Sequence, residues 1–227
     1  GHVTFLLADT AYTTPTLIIS ISADSLTGQD RTVTFKPSSG VNTTVTANST
    51  NPVFIVANSY VTIDGSNTVN GTTRNLTIEN TNAGASAGVA FFSNSAYSTV
   101  KNIVGAALSS AAGYGIVFSG STYGKILNNE IKRTVLGIQL QSLSNFTEIE
   151  GNHIGATADA DKIQNIGIAV LSTTNFEVKN NFISGLLRTA TSSTAGIVLG
   201  IAVTGDPLND GNINNNLITL SKKRYFL

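Results

Sequence analysis

Two short patterns of apolar and polar positions recur together along this chain, and their joint spacing is its main structural signal. The first is a glycine followed by apolar residues: Gly88-Val89-Ala90-Phe91, Gly115-Ile116-Val117-Phe118, Gly137-Ile138-Gln139-Leu140, Gly167-Ile168-Ala169-Val170 and Gly196-Ile197-Val198-Leu199. The second is apolar, any, Asn or Gly, Asn, any, Ile. It occurs at Ile126–Ile131, Ile149–Ile154, Val178–Ile183 and Ile213–Ile218. From the glycine to the third position of the second pattern the offsets are 13 (115 to 128), 14 (137 to 151), 13 (167 to 180) and 19 (196 to 215). From that third position to the next glycine they are 9, 16 and 16 (128 to 137, 151 to 167, 180 to 196). Each repeat therefore reads as strand, corner, strand and a connection of variable length, with a further insertion near 205–210.

Units of this length, built this way, are single turns of a parallel β-helix, whose strands stack about 4.8 Å apart along the axis. The corner chemistry agrees. The third position (Asn128, Gly151, Asn180, Asn215) carries residues that adopt the left-handed backbone at least cost. The fourth is always asparagine, and Asn129, Asn152, Asn181 and Asn216 are expected to stack as a ladder of amides. The flanking Ile and Val side chains are expected to point inward. The first third shows apolar segments without the Asn corner: 3–7, 17–21, 32–35, 53–56, 61–65 and 75–80. The chain is accordingly read as one right-handed parallel β-helix over 1–227, less regular over 1–82 and regular over 83–227, of roughly eight to nine coils and about 40 Å long.

Composition narrows the function classes. Only 11% of the 227 residues are charged and the net charge is zero, which gives no electrostatic footprint for nucleic acid or an anionic membrane surface. No apolar run is long enough for a membrane-spanning helix. Cys, Met and Trp are absent, so disulfides, thiolate metal sites and thiol catalysis are excluded, together with the most readily oxidised side chains. That suits exposure outside a cell. The opening at Gly1, with neither initiator Met nor signal-like segment, reads as a processed chain or an excised fragment.

The Asn-corner coils resemble the parallel β-helix repeats of pectin-lyase-like proteins. The stretch 60–82 (Tyr-Val-Thr-Ile-Asp-Gly-Ser-Asn, then Arg-Asn-Leu-Thr-Ile-Glu-Asn-Thr-Asn), together with 157–163, resembles β-helix segments of very large secreted surface proteins of the Bacteroidota type. The resemblance implies this fold, export, and display outside the cell or on its surface, and it implies no assigned chemistry.

Enzymes of the pectin-lyase-like group cleave acidic polysaccharides with clustered carboxylates, and the acidic residues of this chain are the candidates for that role. Asp159 and Asp161 could share a face and hold a cation, but a solvated loop is the preferred reading. Glu148, Glu150 and His153, with Glu130 in the neighbouring coil beside His153, form the candidate acid/base set. The following coils put Phe182 and Leu217 in that column, and an exposed ion pair of Glu130 is preferred. Thr32-Val33-Thr34 and Thr44-Val45-Thr46 suggest flat threonine arrays, but do not recur at the repeat period. Lys222-Lys223-Arg224 reads as a solvated edge, and the Asn-x-Ser/Thr sequons as chance matches.

The expected function is thus a non-catalytic extracellular structural protein: a surface stalk, an adhesin segment, or a self-assembling filament subunit. No cofactor is expected, and the partners would be further coils of a parent chain or other copies stacked end to end, since neither terminus shows a capping helix. The alternative is a carbohydrate-binding or polysaccharide-degrading module, with a groove between loops 155–165 and 185–195.

Overall fold

The computed structural model describes residues 1–20, 31–84, 87–108, 113–156, 158, 161–186, 198–206 and 210–220, and the described residues form a right-handed parallel β-helix of three sheets. Sheet A contains β1 (Val3–Leu7), β4 (Val33–Pro37), β7 (Val61–Asp64), β10 (Thr99–Lys101), β13 (Lys125–Leu127), β16 (Glu148–Glu150), β19 (Glu177–Lys179) and β22 (Asn212–Asn214). Sheet B contains β2 (Ala11–Thr13), β5 (Thr43–Ala47), β8 (Leu76–Asn80), β11 (Ile103–Ala107), β14 (Glu130–Lys132), β17 (His153–Ile154), β20 (Phe182–Leu186) and β23 (Leu217–Leu220). Sheet C contains β3 (Leu17–Ile19), β6 (Phe54–Val56), β9 (Gly88–Ser93), β12 (Tyr114–Ser119), β15 (Leu136–Gln141), β18 (Ile166–Leu171) and β21 (Leu199–Thr204). The chain visits A, B and C in turn. Eight strands at about 4.8 Å make sheet A roughly 34 Å from first strand to last.

Short β-branched segments with one inward residue in two explain the strands. In β16 only Ile149 is buried, and β5 alternates along its whole length. Inward residues then stack like on like. The register places Phe5, Phe35, Ile63, Val100, Ile126, Ile149, Val178 and Ile213 in one file of sheet A. In sheet C, Phe92, Phe118, Leu140, Val170 and Val203 form another, with the first two rings 4.6 Å apart. Each fully buried Ile or Leu contributes roughly 1.5–3 kcal/mol of transfer free energy.

The register corrects the frame of the glycine pattern. Leu199 pairs with Ile166 and Ile201 with Ile168, so Gly200 stands in file with Gly167, Gly137 and Gly115; Gly196 lies outside the described residues. Counted from Gly200, the offset to Asn215 is 15 residues rather than 19. Gly88 is likewise one residue out of frame: it pairs with Tyr114, which leaves Val89 in the position that glycine holds lower down.

This column of glycines exists because sheets B and C converge there. A β-carbon on Gly137 would lie 2.6 Å from Ile154 Cγ2, and one on Gly167 2.7 Å from Ile183 Cγ2. In the coil of β9 the sizes are exchanged: Val89 takes the glycine position, and Gly105 stands in file with Ile131. The sum of volumes is kept while the large residue changes sheet.

Length variation falls mainly on the B-to-C connection, as the offsets require. A second site of variation is the A-to-B corner of the early coils, where residues 65–75 are inserted between β7 and β8. That insertion lies along the later corners as a strap. Arg74 donates from Nε to the Asn128 carbonyl and from Nη2 to Asn128 Oδ1, both at 2.8 Å, and the carbonyls of Gly71 and Thr72 accept from Asn102 and Asn128.

Candidate functional surfaces

At the A-to-B corner the four asparagines form a continuous ladder, with Asn129, Asn152 and Asn181 buried and Asn216 at its end partly exposed. Nδ2 of Asn129, Asn152 and Asn181 donates to Oδ1 of Asn152, Asn181 and Asn216 at 3.0, 2.9 and 2.9 Å. The same oxygens accept the backbone N–H of the preceding rung, and each Nδ2 also donates to a sheet A carbonyl of the coil above. Ile103 ends the ladder, its N–H donating to Asn129 Oδ1 at 3.1 Å. Outside this file Asn102, Asn128, Gly151, Asn180 and Asn215 all have φ between 48° and 66°, as their residue types led us to expect. These amides are used up in holding coils together and offer no site for a ligand.

The candidate acid/base residues divide between two sheets. Glu148 and Glu150 project from β16 of sheet A and are engaged by lysines of adjacent coils. Lys179 Nζ lies 2.8 Å from Glu148, 3.5 Å from Glu150 and 2.9 Å from Glu177, and Lys125 lies 3.5 Å from Glu148. The hydrogen bond from Lys179 holds the Glu148 carboxyl below its ordinary 4.5, so it is ionised at neutral pH and has no proton to give.

Glu130 and His153 stand side by side on sheet B, as the repeat placed them, followed in file by Phe182 and Leu217. Glu130 lies 3.7 Å from Lys132 and 3.8 Å from Arg74. His153 stacks on Phe182 at 4.9 Å between centroids, and its Nε2 lies 3.2 Å from Ser184 Oγ. Burial pushes the imidazole below 6.5, opposed by Glu130 and reinforced by Arg74, so His153 is neutral at pH 7.

Both shifts make the fold acid-sensitive. A base whose folded value is depressed, like a carboxylate whose folded value is depressed, adds stability that is full above its unfolded value and is lost as pH falls through the folded one. Stability is therefore expected to fall on acidification, first below about 6.5 through His153 and then below about 4.5 through Glu148. Thermal melts of the wild type and His153→Gln between pH 7 and pH 5 check this. The variant's melting temperature should change less over that interval, and an equal change would remove His153 from the account.

Asp161 lies 3.4 Å from Arg133 Nε, whose Nη2 also meets Glu79 at 2.6 Å. Asp159, most of loop 185–195 and the Lys222-Lys223-Arg224 run lie outside the described residues. Among the described residues no three His, Asp or Glu side chains converge as a metal site would require. The outward file of sheet C (Ile18, Ile55, Phe91, Val117, Gln139, Ala169, Ala202) contains no carboxylate.

One concave surface lies on the outer face of sheet A in the early coils, where the 65–75 strap overhangs it. This groove, of about 780 Å³, is floored by Thr34, Thr62, Lys36, Asp64 and Lys101 and walled by Asn67–Asn70. Its floor corrects the expectation that the threonines do not recur: Thr4, Thr34, Thr62 and Thr99 stand in a single file. Buried Asp64 is held by Ser66 N–H at 3.0 Å, Asn102 Nδ2 at 2.8 Å and Lys101 Nζ at 3.3 Å.

The C-to-A corner holds two ladders that the sequence reading passed over. Outside, Tyr60, Tyr97, Tyr123 and Phe146 stack with centroids 4.9, 4.8 and 4.7 Å apart and interplanar angles of 15°, 3° and 6°. All four have φ near 57°, which turns each ring onto the surface. Inside, Ser95, Ser121 and Ser144 are buried; the N–H groups of Ser95 and Ser121 donate to the hydroxyl of the next rung at 3.1 and 3.2 Å. The signal was in the spacing: 97 to 123 to 146 steps by 26 and 23, the same steps as 102 to 128 to 151.

Comparison of the chain with protein-family models, with curated proteins and with solved structures finds no match.

Proposed function

We propose that this chain is a non-catalytic structural protein of the cell exterior, serving as a stiff stalk or adhesin segment or as the subunit of a filament. The observation that supports it is where its polar groups go. In the regular coils the asparagines, Lys179 with Glu148 and Glu150, the corner serines and the stacked rings all bond along the axis, coil to coil. Such a surface resists bending and leaves few free groups for chemistry. The absence of Cys, Met and Trp, and the resemblance of 60–82 to segments of large secreted Bacteroidota-type surface proteins, support display outside the cell.

The end coils support continuation of the rod. Val3 and Phe5 on β1, and Ile213 and Ile218 on β22 and β23, belong to inward files yet are 42–50% exposed. A further parallel coil on either face would bury them and pair the open strand edges. Sedimentation of the whole chain over a wide concentration range, with electron microscopy of the same samples, tests this. Wild type is expected to form concentration-dependent end-to-end rods, and Phe5→Asp, which loses its stack on Phe35 and melts lower, to suppress them while remaining folded. A wild type that stays monomeric throughout removes the filament form of the proposal.

The sheet A groove favours a second reading, a carbohydrate-binding wall with Lys36, Lys101 and the threonine file facing an acidic glycan. Retention on, or product release from, acidic polysaccharide would put that reading first.

A further inference from the structure

The four-ring ribbon has a chemical consequence that follows from what the chain lacks. With no Cys, Met or Trp, its six tyrosines are the side chains most easily oxidised by one electron. They are not equivalent. Tyr114 is largely buried, and burial pushes its phenol up to about 12, which disfavours the proton loss that accompanies oxidation. The Tyr12 hydroxyl accepts the Asp9 N–H at 2.9 Å. Tyr225 lies outside the described residues. Tyr60, Tyr97 and Tyr123 instead form one continuous stack, and Tyr97 and Tyr123 are 48% and 44% exposed.

We propose that this ribbon is where the protein is oxidised, and that it is a site of phenol coupling between copies. Nearly parallel rings under 5 Å apart share an electron hole, so a radical formed on any of the three spreads over the stack and is held at the exposed corner. The same geometry prevents coupling within the ribbon. The carbon–carbon bond of a dityrosine joins the ring carbons next to the hydroxyls, edge to edge, whereas Tyr97 and Tyr123 meet face to face at 3°. Tyr97 and Tyr123 are nearly half exposed, which leaves them open to a ring from another copy. The oxidant is a peroxide acting through a haem peroxidase. Each of two tyrosines, one per chain, loses one electron and one proton; the two phenoxyl radicals form the new bond and regain their phenols by tautomerisation. The peroxide takes up both electrons and both protons and leaves as two waters.

Coupling between copies rests on the scaffold reading and adds to its end-to-end contact a side-by-side approach of two rods; the location of oxidation needs neither. The test treats the whole chain with a haem peroxidase and hydrogen peroxide, separates monomer from cross-linked dimer, and maps modified tyrosines in each by mass spectrometry. Dityrosine fluorescence and a dimer joined through Tyr60, Tyr97 or Tyr123 are expected. The triple variant Tyr60→Phe, Tyr97→Phe, Tyr123→Phe should lose both. It should still fold, because Phe146 already occupies this file. Modification centred on Tyr12 or Tyr225, or a triple variant that cross-links as well as wild type, overturns the proposal. Ribbon tyrosines consumed in a monomer that never dimerises overturn the coupling step alone and leave the scaffold reading to its own sedimentation test.

Discussion

Gly137→Val is expected to be strongly damaging, lowering stability by about 3 kcal/mol or more, at the upper end of overpacking costs. In a chain of this size that is a fall of roughly 6–12 °C in melting temperature. Two obstacles act together. The new β-carbon meets Ile154 Cγ2 at 2.6 Å, and it also meets the Gly167 carbonyl oxygen, which belongs to the sheet C ladder and cannot rotate away. A side-chain clash can be relieved elsewhere, and the β9 coil shows how, with Val89 set against Gly105. The double variant Gly137→Val, Ile154→Gly copies that exchange and should recover only part of the loss, since the carbonyl contact remains. Thermal melts of wild type and both variants decide this. A Gly137→Val protein as stable as wild type would show that sheets B and C can separate, and full recovery in the double variant would assign the whole cost to the isoleucine.

That glycine also marks where sequence reading succeeded and where it slipped. The fold was legible because the corner pattern fixes a register: Asn129, Asn152, Asn181 and Asn216 carry a chemical constraint, left-handed turn then amide rung, that few other structures impose. The glycine frame was not fixed the same way. Gly196-Ile197-Val198-Leu199 and Gly200-Ile201-Ala202-Val203 both satisfy glycine-then-apolar, and only strand pairing with Ile166 and Ile168 separates them. A repeat defined by apolarity alone tolerates such a slip; one defined by a positive φ does not.

The surfaces were less legible, for a related reason. Threonines at 4, 34, 62 and 99 share a file because the strap at 65–75 is absorbed as an insertion outside the stack, which linear spacing does not show. The tyrosine ribbon was in plain sequence at the steps of the asparagine corner. It was passed over because Tyr97 and Tyr123 at φ 55° and 56° violate the usual preference for Asn or Gly in left-handed turns. Stacking on neighbours at about 4.8 Å supplies the offsetting interaction, and it exists only once the coils are stacked. Glu130 and His153 stand side by side as the repeat requires, while the arrival of Arg74, 56 residues before Glu130 in the chain, depends on the strap and has no local signal.

Asn152→Ala is expected to cost about 2–3 kcal/mol, a fall of roughly 4–12 °C in melting temperature. Asn152 makes five side-chain hydrogen bonds: Nδ2 to the carbonyls of Ile126 and Glu150 and to Asn181 Oδ1, and Oδ1 from Asn129 N–H and Nδ2. Most of these partners have a second bond to fall back on. Glu150 O still accepts from Asn128 N–H, Asn181 Oδ1 from Asn152 N–H, and Asn129 Nδ2 still donates to Val100 O. The Asn129 N–H is left with no acceptor, and one orphaned buried donor sets the cost. Asn152→Asp separates this account from simple loss of packing. The carboxylate keeps the bonds from Asn129 but faces Ile126 O, Glu150 O and Asn181 Oδ1 with no proton to give. It should therefore be less stable than the alanine variant at pH 7. Burial and those three acceptors raise the new carboxyl's folded value above its unfolded one, so the penalty should shrink as pH falls toward it. The Asp variant would then gain on wild type under acid, opposite in sign to the loss expected from His153 and Glu148. An Asp variant as stable as wild type at pH 7, or one with no pH dependence of its own, would mean the amide rungs do not hold the coils in register.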